Sequence, residues 1–251
     1  TKEAIVTPQT YTLNNGNKIG EYNAQDKTIQ WTIDVNYNLF DVEEAIIKDA
    51  YVSSIGEKMT FVDGSLSIRK LNLMPGNDTF DVDPAEVVPE SFAVNEAAQS
   101  IELRLGDIGE NAYRITYKTK LDSEPDYKID GSYSNNATLQ DGESGTPIFN
   151  KSATVTPQHG GEYVYKNGQQ VGMSDIAKWT VTVNPSQSSV PANAVLTDTF
   201  SSDHNHFLLR DTFKLYNTVI PANNSGTITK GTEVDAADYT LTVFDYSYTL
   251  T

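Results

Sequence analysis

Lys2, Asp49 and Asn135 combine side-chain types that can react with one another. An amine, a carboxylic acid and a carboxamide become a reaction set when an apolar enclosure holds them together. Desolvation there disfavours both charged forms, so the lysine pKa falls and the carboxyl pKa rises. A neutral lysine amine is a nucleophile. A protonated aspartic acid can hydrogen-bond the asparagine carbonyl, polarise it and shuttle a proton. Attack at the amide carbon then expels ammonia and leaves a Lys–Asn isopeptide crosslink. No cofactor is needed, because burial and proximity supply the drive.

Strand periodicity is what places these groups on apolar faces. Trp31, Ile33 and Val35 alternate with Thr32, Asp34 and Asn36, which defines an inner face. By the same rule Lys2 falls with Ala4 and Val6, Asp49 with Ala45, Ile47 and Tyr51, and Asn135 with Tyr133, Ala137 and Leu139. A buried unpaired charge is costly, so such groups must pair, neutralise or react. If the first and last strands of a sandwich lie side by side, Lys2 meets Asn135 and Asp49 faces both. The plainer reading of a Lys–Asp pair is a surface salt bridge worth under ~1 kcal/mol. Recurrence of the pair in both copies brings the reactive reading level with the plainer one.

That recurrence is an internal repeat. Lys2-Glu-Ala-Ile-Val-Thr-Pro-Gln9 returns as Lys151-Ser-Ala-Thr-Val-Thr-Pro-Gln158, Trp31–Asn36 as Trp179–Asn184, and Ala45–Tyr51 as Ala194–Phe200. Lysine precedes tryptophan by 29 residues in the first copy (2 to 31) and 28 in the second (151 to 179). Tryptophan precedes aspartate by 18 (31 to 49) and then 19 (179 to 198). Ordered blocks at matched spacing make two copies of one domain, 1–146 and 147–251, joined through the loop Asp141–Pro147. The second copy carries Lys151 and Asp198 on its apolar faces. It stops short of counterparts to Tyr113–Leu121 and Tyr133–Leu139, as a C-terminally truncated domain would.

The rest of the chain agrees with a β-rich fold. Strands are expected at Gln30–Val35, Glu44–Val52, Ser65–Leu71, Ser100–Leu105, Tyr113–Leu121 and Ser132–Leu139, separated by Asn14–Asn17, Asp63-Gly64, Pro75-Gly76-Asn77 and Asp130-Gly131. Only Ala85–Ala98 has room for a helical turn. Short alternating runs between turns predict an all-β chain of tandem immunoglobulin-like antiparallel β-sandwiches. A net charge of −16 argues against nucleic acid and anionic lipid as partners. No stretch approaches the ~20 apolar residues of a membrane span, and cysteine is absent. The chain opens and closes mid-pattern, as an excised fragment does.

These blocks resemble the immunoglobulin-like domains of Gram-positive cell-wall adhesins, of the collagen-adhesin type and of pilin-like stalks. The matching residues are Lys2 and Lys151, Trp31–Asn36 and Trp179–Asn184, Asp49 and Asp198, Tyr113–Thr119, and Tyr133–Leu139. The resemblance implies an extracellular, wall-anchored protein whose domains each carry a Lys–Asn isopeptide and a catalytic acid. It therefore implies Lys2, Asp49 and Asn135 in the first copy and Lys151 and Asp198 in the second. The family pattern of asparagine, any residue, alanine selects Asn135, with Asn136 as a fallback of the wrong facing. The second copy departs from the pattern, having no acceptor asparagine before Thr251 unless another chain supplies the strand.

Other constellations are weaker. His204 and His206 lack an evident third metal ligand, and Asp78, Asp81, Asp83 and Glu86 lack calcium-loop spacing. No nucleophile triad or phosphate loop is present, so a turnover enzyme is not expected and self-crosslinking is a single event. The leading expectation is a stalk or adhesin module with adjacent domains of the same surface protein as neighbours. The alternative is a module binding collagen or another host matrix protein. Carbohydrate binding through exposed tyrosines has only composition behind it.

Overall fold

The computed structural model describes residues 13–56, 58–74, 79–121, 129, 131–157, 160, 162–188, 190–201, 206–220 and 228–251. Lys2 and the strand expected around it, His204 and Asp78 lie outside the described residues. The strands are β1 (Gly16–Asn23), β2 (Thr28–Val35), β3 (Ala45–Ser53), β4 (Met59–Phe61), β5 (Ser67–Leu73), β6 (Phe80–Glu86), β7 (Ser91–Asn95), β8 (Ser100–Gly106), β9 (Ala112–Leu121), β10 (Tyr133–Asp141) and β11 (Phe149–Val155). Then follow β12 (Val164–Gln170), β13 (Ala177–Val183), β14 (Leu196–Thr199), β15 (Tyr216–Val219), β16 (Thr229–Glu233), β17 (Leu241–Val243) and β18 (Ser247–Leu250). The described residues contain no helix long and apolar enough to cross a membrane.

The chain is all-β and divides into two compact units, Thr1–Gly160 and Gly161–Thr251. In the first, one sheet runs β1-β2-β9-β5-β6 with β4 also on β9, and the other runs β11-β10-β3-β8-β7. The ladders are antiparallel throughout. Alternation fixes what lies between the sheets. Trp31, Ile33 and Val35 of β2, Ile115 and Tyr117 of β9, Ile47 of β3 and Tyr133 and Leu139 of β10 are buried together. Deleting a core aromatic of this kind typically costs about 3–5 kcal/mol.

β11 carries Lys151 and the opening block of the second repeat, yet it pairs with β10, Lys151 lying opposite Ala137. The first unit therefore runs past the 146/147 boundary suggested by the repeat. Phe149 of β11 packs against Gly16, and a Cβ added at Gly20 would lie 2.6 Å from Val155. Gly20 thus admits both the Trp31 ring and β11 to the face of β1.

The repeated Trp31–Asn36 and Trp179–Asn184 blocks end in the same turn. Asn36 and Asn184 take left-handed φ values of 62° and 52°. Each side chain bonds the backbone four residues on: Asn36 with N–H and C=O of Phe40, Asn184 with those of Ser188. Asparagine tolerates this conformation and closes the turn with its own amide.

The helical turn considered for Ala85–Ala98 is not formed. β7 occupies its centre and pairs with β8, and Phe92 and Val94 pack on the core at strand spacing. The second unit repeats the strand order of the first, but its strands form a β12-β13 pair, a β15-β16 pair and a three-stranded β14-β18-β17 sheet. Among the described residues no strand does there what β9 does between β2 and β5.

Candidate functional site

β1 presents Gly16, Lys18, Gly20 and Tyr22 to the interior, in register with the tryptophan strand: Lys18 lies opposite Ile33 and Gly20 opposite Trp31. From the opposing sheet, β3 sends in Asp49 and β10 sends in Asn135, diagonal neighbours in a ladder where Asp49 pairs with Ala137 and Asn135 with Tyr51. β9 contributes Tyr117, opposite Trp31.

These four side chains form one buried cluster. Lys18 Nζ lies 2.7 Å from Asp49 Oδ2, and both side chains are 0% exposed. The Tyr117 hydroxyl donates to the same oxygen at 2.8 Å. Asn135 Nδ2 donates to the Tyr117 hydroxyl at 2.6 Å. Lys18 Nζ also lies 5.8 Å from the centre of a Trp31 ring. Two acceptors, Asp49 Oδ1 and Asn135 Oδ1, are buried without a hydrogen-bond partner. A proton on the Asp49 carboxyl would supply the missing donor.

Burial dominates the titration of the pair. It lowers the Lys18 pKa against the opposing pull of Asp49. It raises that of Asp49 against Lys18, Tyr117 and Asn135. Burial likewise holds Tyr117 protonated, well above the usual phenol range. Both shifts of the Lys–Asp pair favour a neutral amine beside a neutral acid. Nucleophile, acid and carboxamide thus meet in a dry enclosure, the arrangement amide exchange requires.

Residues 13–146, 134 of the 251 in the chain, match the family described as the collagen binding domain. The chain belongs to that family. A search of curated proteins found no match. Similar solved structures include the collagen binding subdomain of the Enterococcus faecalis surface protein ACE, at 13% identity and a TM-score of 0.40, covering 57% of this chain and 96% of that one. The collagen-binding domain of a Staphylococcus aureus adhesin matches at 15% identity and a TM-score of 0.37, covering 59% and 99%. The group B streptococcus pilus 2b backbone protein matches at 13% identity and 0.37, covering 94% and 78%.

Within this collagen-binding-domain chain, the amine at Asp49 is Lys18, a residue the strand-facing argument did not single out. Asn136 points away from the cluster and bonds Asn150 and Ser152 on the exposed face. In the second unit the cation on Asp198 is Lys166, 2.5 Å away, while Lys151 sits half-buried on β11 of the first. Lys166 is the repeat counterpart of Lys18. Each precedes its tryptophan by 13 residues (18 to 31, 166 to 179), and each is followed two positions later by a glycine that pairs with that tryptophan. That spacing was the available signal. Tyr117 carried none, since an aromatic on an inner strand face reads as core. No group of three or more His, Cys, Asp or Glu suited to a metal occurs among the described residues.

Proposed function

We propose that this chain is a module of a Gram-positive cell-surface adhesin that binds collagen or a similar matrix protein, with its first unit held by an autocatalytic Lys18–Asn135 isopeptide bond. Membership of the collagen-binding-domain family supports the ligand class and the extracellular setting. The crosslink rests on one observation: a lysine amine, a carboxyl and a carboxamide buried together with two acceptor oxygens left without donors.

In the reaction, neutral Lys18 attacks Cγ of Asn135 while the protonated Asp49 carboxyl polarises the amide oxygen. The C–Nδ2 bond breaks, ammonia leaves, and a secondary amide remains. The bond would clamp β1 in one sheet to β10 in the other. Its loop is comparable to a long disulfide loop, which corresponds to about 4–5 kcal/mol. A clamp of that kind suits a stalk under load, so the structural and ligand-binding roles are compatible.

Binding of the full chain to immobilised collagen tests the ligand. The reading predicts saturable binding, and retention no greater than on an albumin surface would refute it. Proteolysis with mass analysis tests the crosslink separately, through a branched peptide joining residues 18 and 135.

A further inference from the structure

We propose that Tyr117 is a catalytic residue of this crosslinking reaction, carrying a proton from Asp49 to the amide nitrogen that leaves Asn135. The proposal rests on the crosslinking reading above and adds the group that reading lacks. An amide nitrogen departs as ammonia only after gaining a proton, and no water is needed at this site if a side chain delivers it. The short hydrogen bonds of the carboxyl, both on Oδ2, go to Lys18 and Tyr117, and Asn135 is the weakest of the groups that act on it. The Tyr117 hydroxyl touches both ends of the gap, 2.8 Å from Asp49 Oδ2 and 2.6 Å from Asn135 Nδ2.

The ring is fixed for the task. It is fully buried, pairs with Trp31 across the β2–β9 ladder and packs at a tilt on Phe61, with centroids 5.8 Å apart. An aromatic needed only to fill this space would be phenylalanine, which has no polar atom to bury. A buried hydroxyl placed between an acid and a carboxamide costs desolvation and must be matched by specific bonds.

The steps balance. As Lys18 Nζ bonds to Asn135 Cγ, one amine proton passes to Asp49 Oδ2, while the proton on Oδ1 is shared with the oxygen of the tetrahedral centre. In that centre Nδ2 is an amine with a free lone pair, so its bond to Tyr117 reverses. The Tyr117 proton moves to Nδ2 as the hydroxyl takes the proton from Oδ2. The Cγ–Nδ2 bond then breaks, ammonia leaves, and the Oδ1 proton returns to Asp49. Tyr117 and Asp49 end as they began.

The test follows ammonia loss by intact mass during refolding of the full chain from denaturant. Tyr117→Phe should crosslink roughly 100-fold more slowly or worse, the scale expected for loss of a general acid. Replacing Tyr117 with fluorotyrosines of graded acidity preserves size and the hydroxyl, and decides the matter if the phenylalanine variant folds poorly. Their rates should change systematically with phenol acidity, which a merely structural tyrosine would not produce. A Tyr117→Phe rate equal to that of the unaltered protein, or a fluorotyrosine series with one common rate, overturns the proposal. If the unaltered protein never loses ammonia, the crosslinking reading fails instead, which is a distinct result.

Discussion

Lys18 with Asp49 and Lys166 with Asp198 are the same lysine–aspartate pair in two surroundings. The first pair is 0% exposed on both sides, whereas Lys166 and Asp198 are 32% and 10% exposed. Trp31 is fully buried, but Trp179 is 51% exposed. Both lysines lie near their tryptophan rings, and both glycines two positions later are crowded by that ring. What differs is the flanking strands. In the first unit β9 and β10 bring Tyr117 and Asn135 to the carboxyl, and β11 packs over β1. In the second, β14 pairs with β18, placing Tyr248 opposite Asp198. A phenol arrives there with no carboxamide on the pair among the described residues, and burial pushes Tyr248 up to about 12, with Asp198 adding to the shift. The same residue types therefore sit fully buried beside a carboxamide in one place and form a partly exposed salt bridge in the other. Enclosure and the third group decide which.

The sharpest way to break this comparison is to delete the acids in parallel. Asp49→Ala leaves Lys18 buried without a counter-ion and removes the crosslink, so it should cost at least about 5 kcal/mol. Asp198→Ala removes a partly exposed pair and should cost about 1 kcal/mol or less. Urea unfolding followed with unit-specific probes reads both, and equal losses would undo the contrast. Asn135→Ala keeps the lysine–aspartate pair but loses the crosslink together with the hydrogen bond to Tyr117, which should lower stability by at least about 4–5 kcal/mol. The tryptophans give a third pair. Trp31→Ala should cost about 3–5 kcal/mol, and Trp179→Ala much less, because half its surface is already in solvent.

A smaller, pH-dependent effect sharpens the electrostatic half. In Lys18→Met, Asp49 loses the main influence opposing its raised pKa. A carboxyl with a folded pKa above its unfolded value of 3.8 stabilises while protonated in the folded state. That contribution is fully present below the unfolded value and is lost as pH rises through the folded one. The variant should therefore weaken on going from acid toward neutral pH, by up to about 1.4 kcal/mol per pH unit inside that window. Urea midpoints at a series of pH values measure this, and a midpoint that rises with pH contradicts it.

Much of the architecture was legible in the residues. The alternation of Trp31, Ile33 and Val35 and the turn residues between runs gave the strands, and period two put Asp49 and Asn135 on inner faces. Lys18 was not legible, for a physical reason. β1 reads Gly-Asn-Lys-Ile-Gly-Glu-Tyr-Asn, and its inner face holds two glycines and a lysine while Ile19 points outward, 46% exposed. An apolar alternation that is inverted looks like a turn. The block around Lys151 alternates cleanly, and that alternation belongs to β11, a strand at the edge of its sheet. The extent of the first unit was hidden likewise, since no local pattern tells a strand which sheet it will join.

Lys18 and Asn135 are proposed to become one covalent unit. Intact mass of the folded full chain, followed by proteolytic mapping, tests it directly. A crosslinked chain has a mass lower by one ammonia and yields a branched peptide containing both residues, and Lys18→Ala or Asn135→Ala abolishes both signatures. The full sequence mass, with residues 18 and 135 recovered in separate linear peptides, would contradict it.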